Sequence, residues 1–175
     1  LTSREGLIWE KDLSLQYFAH GPVKRAEIGE DKLQGLDYAY TTAGSLKAMN
    51  THNLSTTAHP GREGSKGFAQ DAFGFQIDYY KGDFVKADGS FASLNIQDEK
   101  DYYGGMIAVI ASETQSIPAM TRSQVAESYN YDLAGRLTST KMHNQNGKRF
   151  RPTPDFATSY QYDGNGNFKT LQRYA

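Results

Sequence analysis

The chain has 175 residues, and its 19 basic and 20 acidic side chains leave a net charge of -1. Mixed along the sequence without a long single-sign run, these charges exclude the electrostatic footprint of a nucleic-acid binder. The absence of cysteine excludes a disulfide framework and a thiolate metal site. The composition is 38% hydrophobic and 13% aromatic with 12 tyrosines, which points to a folded domain packed largely with a ring whose hydroxyl needs a partner.

In chain order, Leu1 stands where a methionine would open a complete protein, and no signal segment or membrane-spanning apolar run is present. The chain is therefore expected to be a piece of a longer polypeptide, with residues 1–175 forming a single segment. Residues 13–17 and 23–28 read as strands around a His20-Gly21-Pro22 turn, although residues 24–32 also fit a helical turn. The short basic clusters Lys24-Arg25 and Lys148-Arg149-Phe150-Arg151 read as solvated surface. Residues 51–70, rich in small polar residues and glycine without a period, read as an exposed loop insertion.

Residues 73–80 form the next strand expectation, and Asp88-Gly89 marks a turn before Phe91 and Leu94. The stretch Met106-Ile-Ala-Val-Ile110 is the most apolar and partly β-branched, so it reads as a buried strand. Asn146-Gly147 is a tight-turn signal between a strand over 137–142 and a partner starting near Phe150. Seventeen glycines against 5 prolines, falling between strand-like runs, indicate many turns rather than a disordered tract.

The most specific feature is a nine-residue frame found three times: Tyr38-Ala-Tyr40-Thr-Thr-Ala-Gly44-Ser-Leu46, Tyr129-Asn-Tyr131-Asp-Leu-Ala-Gly135-Arg-Leu137 and Tyr160-Gln-Tyr162-Asp-Gly-Asn-Gly166-Asn-Phe168. Residues two apart on a strand share a face, so each tyrosine pair is expected to enter one buried stripe. Asp132 and Asp163 lie three residues before Gly135 and Gly166, the arrangement of a type I turn with Asp first and Gly fourth. Continued by a left-handed glycine, that turn makes a three-residue hairpin connection with a bulge. Leu137 and Phe168 are expected to return to the core. Thr41 replaces the Asp in the first copy, so that corner is expected to have the weakest side-chain clasp.

Leu15, Tyr17, Gly21 and Val23 hold the same offsets upstream, and Phe75-Gln-Ile77-Asp78 and Tyr103-Gly-Gly-Met-Ile107 keep parts of the frame with the glycine displaced. Starts at 15, 38, 129 and 160 have spacings that fit a repeat array with eroded members in the middle. The fold class expected is all-β, an antiparallel β-hairpin repeat array.

Signals for chemistry are weaker. His20, His52, His59 and His143 lack any metal or catalytic spacing and read as exposed or turn residues. The run from Gly61 to Gly67 lacks the Lys-Ser/Thr ending of a phosphate loop, and Asp163-Gly-Asn-Gly-Asn167 has Phe168 where a calcium loop needs glycine. No Gly-x-Ser-x-Gly elbow occurs, and Asp98-Glu99 reads as surface charge. No catalytic residue, metal or cofactor is expected.

The stretch Tyr129-x-Tyr-Asp-x-x-Gly-Arg-Leu137 resembles the YD repeat of RHS-repeat proteins. The stretches His20-Gly-Pro-Val-Lys-Arg25, Leu33-Gln-Gly-Leu-Asp-Tyr-Ala-Tyr40 and Asp163-Gly-Asn-Gly-Asn167 resemble the extended pattern of very large bacterial members. Departures are Thr41 for Asp, Ser45 and Asn167 for Arg, and the insertion at 51–70. The resemblance implies a β-sheet spiralling into a hollow shell that is secreted or surface-exposed and encloses or displays a C-terminal effector. It also implies export by a dedicated route, with flanking repeats or another chain at the sheet edges. The Asp-Pro-rich autoproteolytic segment of toxin members is absent, Pro154-Asp155 having the reverse order. A rival reading is a carbohydrate or cell-surface binding module, since exposed tyrosine rings stack on sugars; buried rings would instead make a wall.

Overall fold

Ten strands follow one another in a computed structural model that describes residues 10–30, 33–54, 67–84, 94, 96, 100–115, 122–146 and 149–174. They are β1 (Leu13–Tyr17), β2 (Val23–Ile28), β3 (Gln34–Tyr40), β4 (Leu46–Met49), β5 (Phe73–Asp78), β6 (Val109–Gln115), β7 (Arg122–Tyr131), β8 (Leu137–Asn146), β9 (Arg149–Tyr162) and β10 (Phe168–Arg173). Each lies beside its sequence neighbour in one antiparallel sheet ordered β1 to β10, the topology that short hairpin connections produce. No helix occurs among the described residues, so residues 24–30 of the 24–32 stretch are not helical, β2 occupying their first part, while 31 and 32 lie outside the described residues. Equally, no helix among the described residues is long and apolar enough to cross a membrane.

Contacts divide the chain into two compact units, Leu1–Gln76 with Ser112–Arg122, and Ile77–Ala111 with Ser123–Ala175. In the first, Asn50 is fully buried with a left-handed backbone at φ 57°, a conformation its short amide tolerates. Its side chain accepts from the Asp37 N–H at 2.8 Å and donates to the Phe73 carbonyl at 3.2 Å, joining β3 to β5. Gly74 makes this approach possible, because a Cβ there would sit 2.2 Å from the Thr51 carbonyl oxygen. The interior of this unit is largely polar: Lys47, Asp71 and Glu113 are buried, as is Leu54, and Glu113 accepts from the Leu54 N–H at 2.8 Å. Such groups are tolerated only when hydrogen-bonded.

The second unit has an apolar core of Leu94, Ile96, Ala108, Val109, Ala111, Ala126 and Phe150, with Tyr102 packed against it. The core thus consists of small and aliphatic side chains plus one phenylalanine, not of stacked tyrosines. Alternation sets the faces: Val109 and Ala111 are buried on β6, and Phe150 is buried between exposed Arg149 and Arg151.

The apolar stretch at 106–110 is strand only from Val109, and the strand continues through polar residues to Gln115. Residues before it follow a tight turn, yet they are still hydrogen-bonded: the Ala108 N–H donates to Asp78 and its carbonyl accepts from Tyr129. Apolarity marked burial rather than the length of the ladder. β5 ends at Asp78, two residues earlier than expected, because the Tyr79 N–H donates to Asp83 Oδ2 at 2.8 Å and the chain turns at Gly82. Asn146 faces Arg149 across a hairpin; Gly147 itself, most of the 51–70 insertion and the Asp88-Gly89 turn lie outside the described residues.

Candidate functional site

Four corners of the sheet share one hydrogen-bond pattern. In each, the first corner residue donates its N–H to the carbonyl four residues on and accepts from the glycine N–H three residues on. Phe18 does so with Pro22 and Gly21, Thr41 with Ser45 and Gly44, Asp132 with Arg136 and Gly135, and Asp163 with Asn167 and Gly166, all at 2.8–3.1 Å. The glycines have φ of 111°, 85°, 77° and 89° respectively, the left-handed region that side chains resist. A register shift flanks the corner in every case, between Gln16 and Tyr17, Ala39 and Tyr40, Asn130 and Tyr131, and Phe168 and Thr170. These are hairpin connections carrying a bulge.

The corners differ in their clasps. Asp132 Oδ1 accepts from the Ala134 and Arg136 N–H groups, both at 2.9 Å, while its Oδ2 takes the Arg136 guanidinium at 2.7 Å. Asp163 repeats this with the Asn165 and Asn167 N–H groups at 2.9 Å and the Asn167 amide at 3.0 Å. The Arg136 N–H and then its guanidinium hold the Asp132 carboxyl below its ordinary value, and the Asn167 amide and N–H do the same for Asp163. Thr41 Oγ1 accepts from the Ser45 N–H at 3.1 Å, a neutral hydrogen bond in place of charge-assisted ones.

The corners led by Phe18 and Asp132, and a fifth led by Tyr102, also meet the second tyrosine of the copy that follows. The Tyr40 ring stands edge-on to Phe18 at 6.3 Å, and the Tyr131 ring stands edge-on to Tyr102 at 5.1 Å. The Arg136 guanidinium lies 4.8 Å over the Tyr162 ring and donates from Nη1 to the Asp163 carbonyl at 3.3 Å. Arg136 therefore ties the corner that holds it to the next one. The phenol hydroxyls follow a rule of their own. Tyr162 Oη donates to the Leu137 carbonyl at 2.7 Å and Tyr131 Oη to the Ile107 carbonyl at 3.0 Å. Leu137 and Ile107 both stand two residues after a left-handed glycine, Gly135 and Gly105.

The eroded copy around Tyr103 is thus a working corner. Its leading residue is Tyr102, whose carbonyl accepts from Gly105 at 3.3 Å. Tyr102 and Phe18 were the residues that sequence reading missed. The available signal was their position three residues before Gly105 and Gly21, in the place that Asp takes elsewhere.

The frame tyrosines, Tyr38, Tyr40, Tyr129, Tyr131, Tyr160 and Tyr162, are all half-buried rather than sealed in a core. A phenol cannot be wholly buried unless its hydroxyl finds an acceptor, and here Tyr131 and Tyr162 find backbone carbonyls at the corners and Tyr129 finds Glu127 Oε2 at 2.8 Å. Burial first, and that carboxylate second, push the Tyr129 phenol above its ordinary value; burial and then Tyr102 do the same for Tyr131. Leu46 and Leu137 are partly covered. Phe168 departs from expectation: it is 68% exposed, lying against Tyr162 at 4.9 Å and Tyr160 at 6.0 Å instead of entering a core.

Other expectations are corrected as well. His143 is a buried strand residue, 2.9 Å from Ser128 Oγ through Nε2, and His52 meets Gln76 Oε1 at 2.9 Å. His20 is exposed in its turn, as expected, and stacks on Phe18 at 5.4 Å, and His59 lies outside the described residues. Arg25 is not a solvated cation: it pairs with Glu27 and Asp37 and covers the Phe68 ring at 4.6 Å. No group of His, Asp or Glu side chains among the described residues is arranged to hold a metal ion. No protein-family model matches the chain, and no curated protein matches it.

Proposed function

We propose that this chain is a wall section of a secreted or surface-displayed RHS-repeat protein, a non-enzymatic scaffold that helps to enclose or present an effector. The observation that carries the reading is the repeated join between successive copies. The hydroxyls of Tyr131 and Tyr162 reach the carbonyl two residues past the preceding corner glycine, and a ring or guanidinium caps the same tyrosine from that corner. Rings committed to such joins are building material, since their polar tips are spent on the sheet itself. Corner bulges add twist to each hairpin, which favours a spiralling wall over a flat sheet.

The experiment is peptide mapping by mass spectrometry of the native polypeptide, combined with limited proteolysis. Further Tyr-x-Tyr-Asp-x-x-Gly copies on either side of this chain, and a protease-protected segment released only on denaturation, are the expected result. A native polypeptide consisting of this chain alone would overturn the reading.

A second reading, glycan contact, finds support outside the frame. Tyr80 and Tyr103 stack at 4.7 Å, and Tyr103 is 76% exposed beside the turn at Gly104 and Gly105. A tilted pair in which Tyr103 is open and Tyr80 half-buried suits a sugar face better than the engaged frame rings do. Loss of glycan-array binding in Tyr103→Ala would support it, and an array blank for the unmodified chain would remove it.

A further inference from the structure

We propose that two copies of this chain join head to tail, the outer edge of β10 in one pairing antiparallel with the outer edge of β1 in the next. The proposal rests on the repeated joins described above and adds a partner and a register.

The register comes from the internal joins. Arg25, four residues after Gly21, faces Asp37, three residues before Tyr40. Ser139, four after Gly135, faces Ser159, three before Tyr162. Two joins in different parts of the chain therefore obey one rule. The strand after a corner receives the next tyrosine-bearing strand at one fixed offset. β10 is a strand after a corner, and β1 carries Leu15 and Tyr17 in the places of the tyrosine pair. Under the same offset Thr170 faces Ser14, Leu171 faces Leu13, and the Tyr17 hydroxyl comes to the Phe168 carbonyl.

Exposure shows what each edge lacks. The residues five after the corner glycine are buried in the internal joins, Ala26 at 6% and Thr140 at 4%, whereas the equivalent Leu171 is 50% exposed. Tyr17 is 57% exposed where Tyr40, Tyr131 and Tyr162 are half-buried. The edges also differ in charge, with Lys169 and Arg173 on β10 and, just before β1, the run Glu10-Lys11-Asp12 in which acids outnumber the one lysine, all of them exposed. Strand edges with no partner strand among the described residues are templates for another strand, and a contact between two different edges is heterologous, so it propagates from copy to copy.

The lack of cysteine allows a direct test. Variants Ser14→Cys and Thr170→Cys are prepared separately, checked by circular dichroism, mixed and mildly oxidised. Facing residues of an antiparallel ladder lie about 4.5–5.5 Å apart at Cα, within disulfide reach. A mixed disulfide dimer is expected, several-fold more abundant than from Gln16→Cys with Thr170→Cys, which is two residues out of register. The facing pair Leu13→Cys and Leu171→Cys provides a second reading should either first variant fold poorly. In sedimentation equilibrium the unmodified chain should gain mass with concentration, and Tyr17→Phe should raise the dissociation constant by up to about tenfold. A chain that stays monomeric without mixed disulfide, or cross-linking equally at both offsets, would overturn the proposal. The wall reading is judged on the native polypeptide, so either can fail while the other stands.

Discussion

At Gly135 a φ of 77° is required by the corner, while a Cβ built there would meet only Met106 Sδ at 3.6 Å, an ordinary contact. The demand is thus on backbone conformation and not on space. Gly135→Val should cost about 1–3 kcal/mol, the strain of a β-branched residue in the left-handed region, and thermal melting should record it as a lower Tm. An unchanged Tm would remove the corner assignment. The carboxylates beside these glycines make a second expectation. Asp132 and Asp163 have folded values below the ordinary 3.8, so their clasps are complete above that pH and are lost as pH falls through the lower folded values. Carboxyl titration by NMR should place both midpoints below 3.8. Asp132→Asn should flatten the acid limb of the stability profile, and a midpoint at or above the ordinary value would sink the clasp.

For single elements, the joins between hairpins are the quantities to measure. Tyr162→Phe keeps the ring over Arg136 but removes the hydroxyl that the Leu137 carbonyl receives at 2.7 Å, a loss of about 0.5–1.5 kcal/mol. A double-mutant cycle between Arg136→Ala and Tyr162→Leu should return a coupling of about 0.5–1 kcal/mol. Additive losses in denaturant melts would show that guanidinium and ring touch without interacting. The strands themselves were legible to different degrees. β1 and β2 match the residue ranges expected from sequence, because alternating apolar residues flank a Gly-Pro turn and both ends are marked locally. β6 was misjudged at its start because residues 106–108, though apolar, belong to the exit of the Tyr102 corner. The polar half of β6, ending in Thr114-Gln115, offers no hydrophobic signal, yet the Gln115 N–H donates to the Ala72 carbonyl at 2.8 Å. Ladder hydrogen bonds depend on a neighbour and leave no trace in side-chain type.

Across the whole molecule, the ten strands keep their chain order in the sheet, so contacts are mostly between sequence neighbours, as in a repeat array. The two interiors differ in kind. Ile77–Ala111 with Ser123–Ala175 holds the aliphatic cluster around Val109, whereas Leu1–Gln76 with Ser112–Arg122 buries Lys47, Asn50, Asp71 and Glu113. The tyrosine-rich composition anticipated an interior carrying polar contacts, but it assigned the packing to tyrosine, which instead bridges copies from half-buried positions.

The sequence alone determined the corners led by Thr41, Asp132 and Asp163 and the strand class, because an Asp or Thr three residues ahead of a glycine, between alternating apolar residues, constrains the backbone within a few residues. Tertiary structure alone decided that Tyr102 leads a corner, that Tyr131 and Tyr162 bond carbonyls 24 and 25 residues away, that His143 and Asn50 are buried, and that Phe168 is open. Those outcomes depend on which strand lies alongside, and a neighbour brought in by the sheet is not written into any local run of residues.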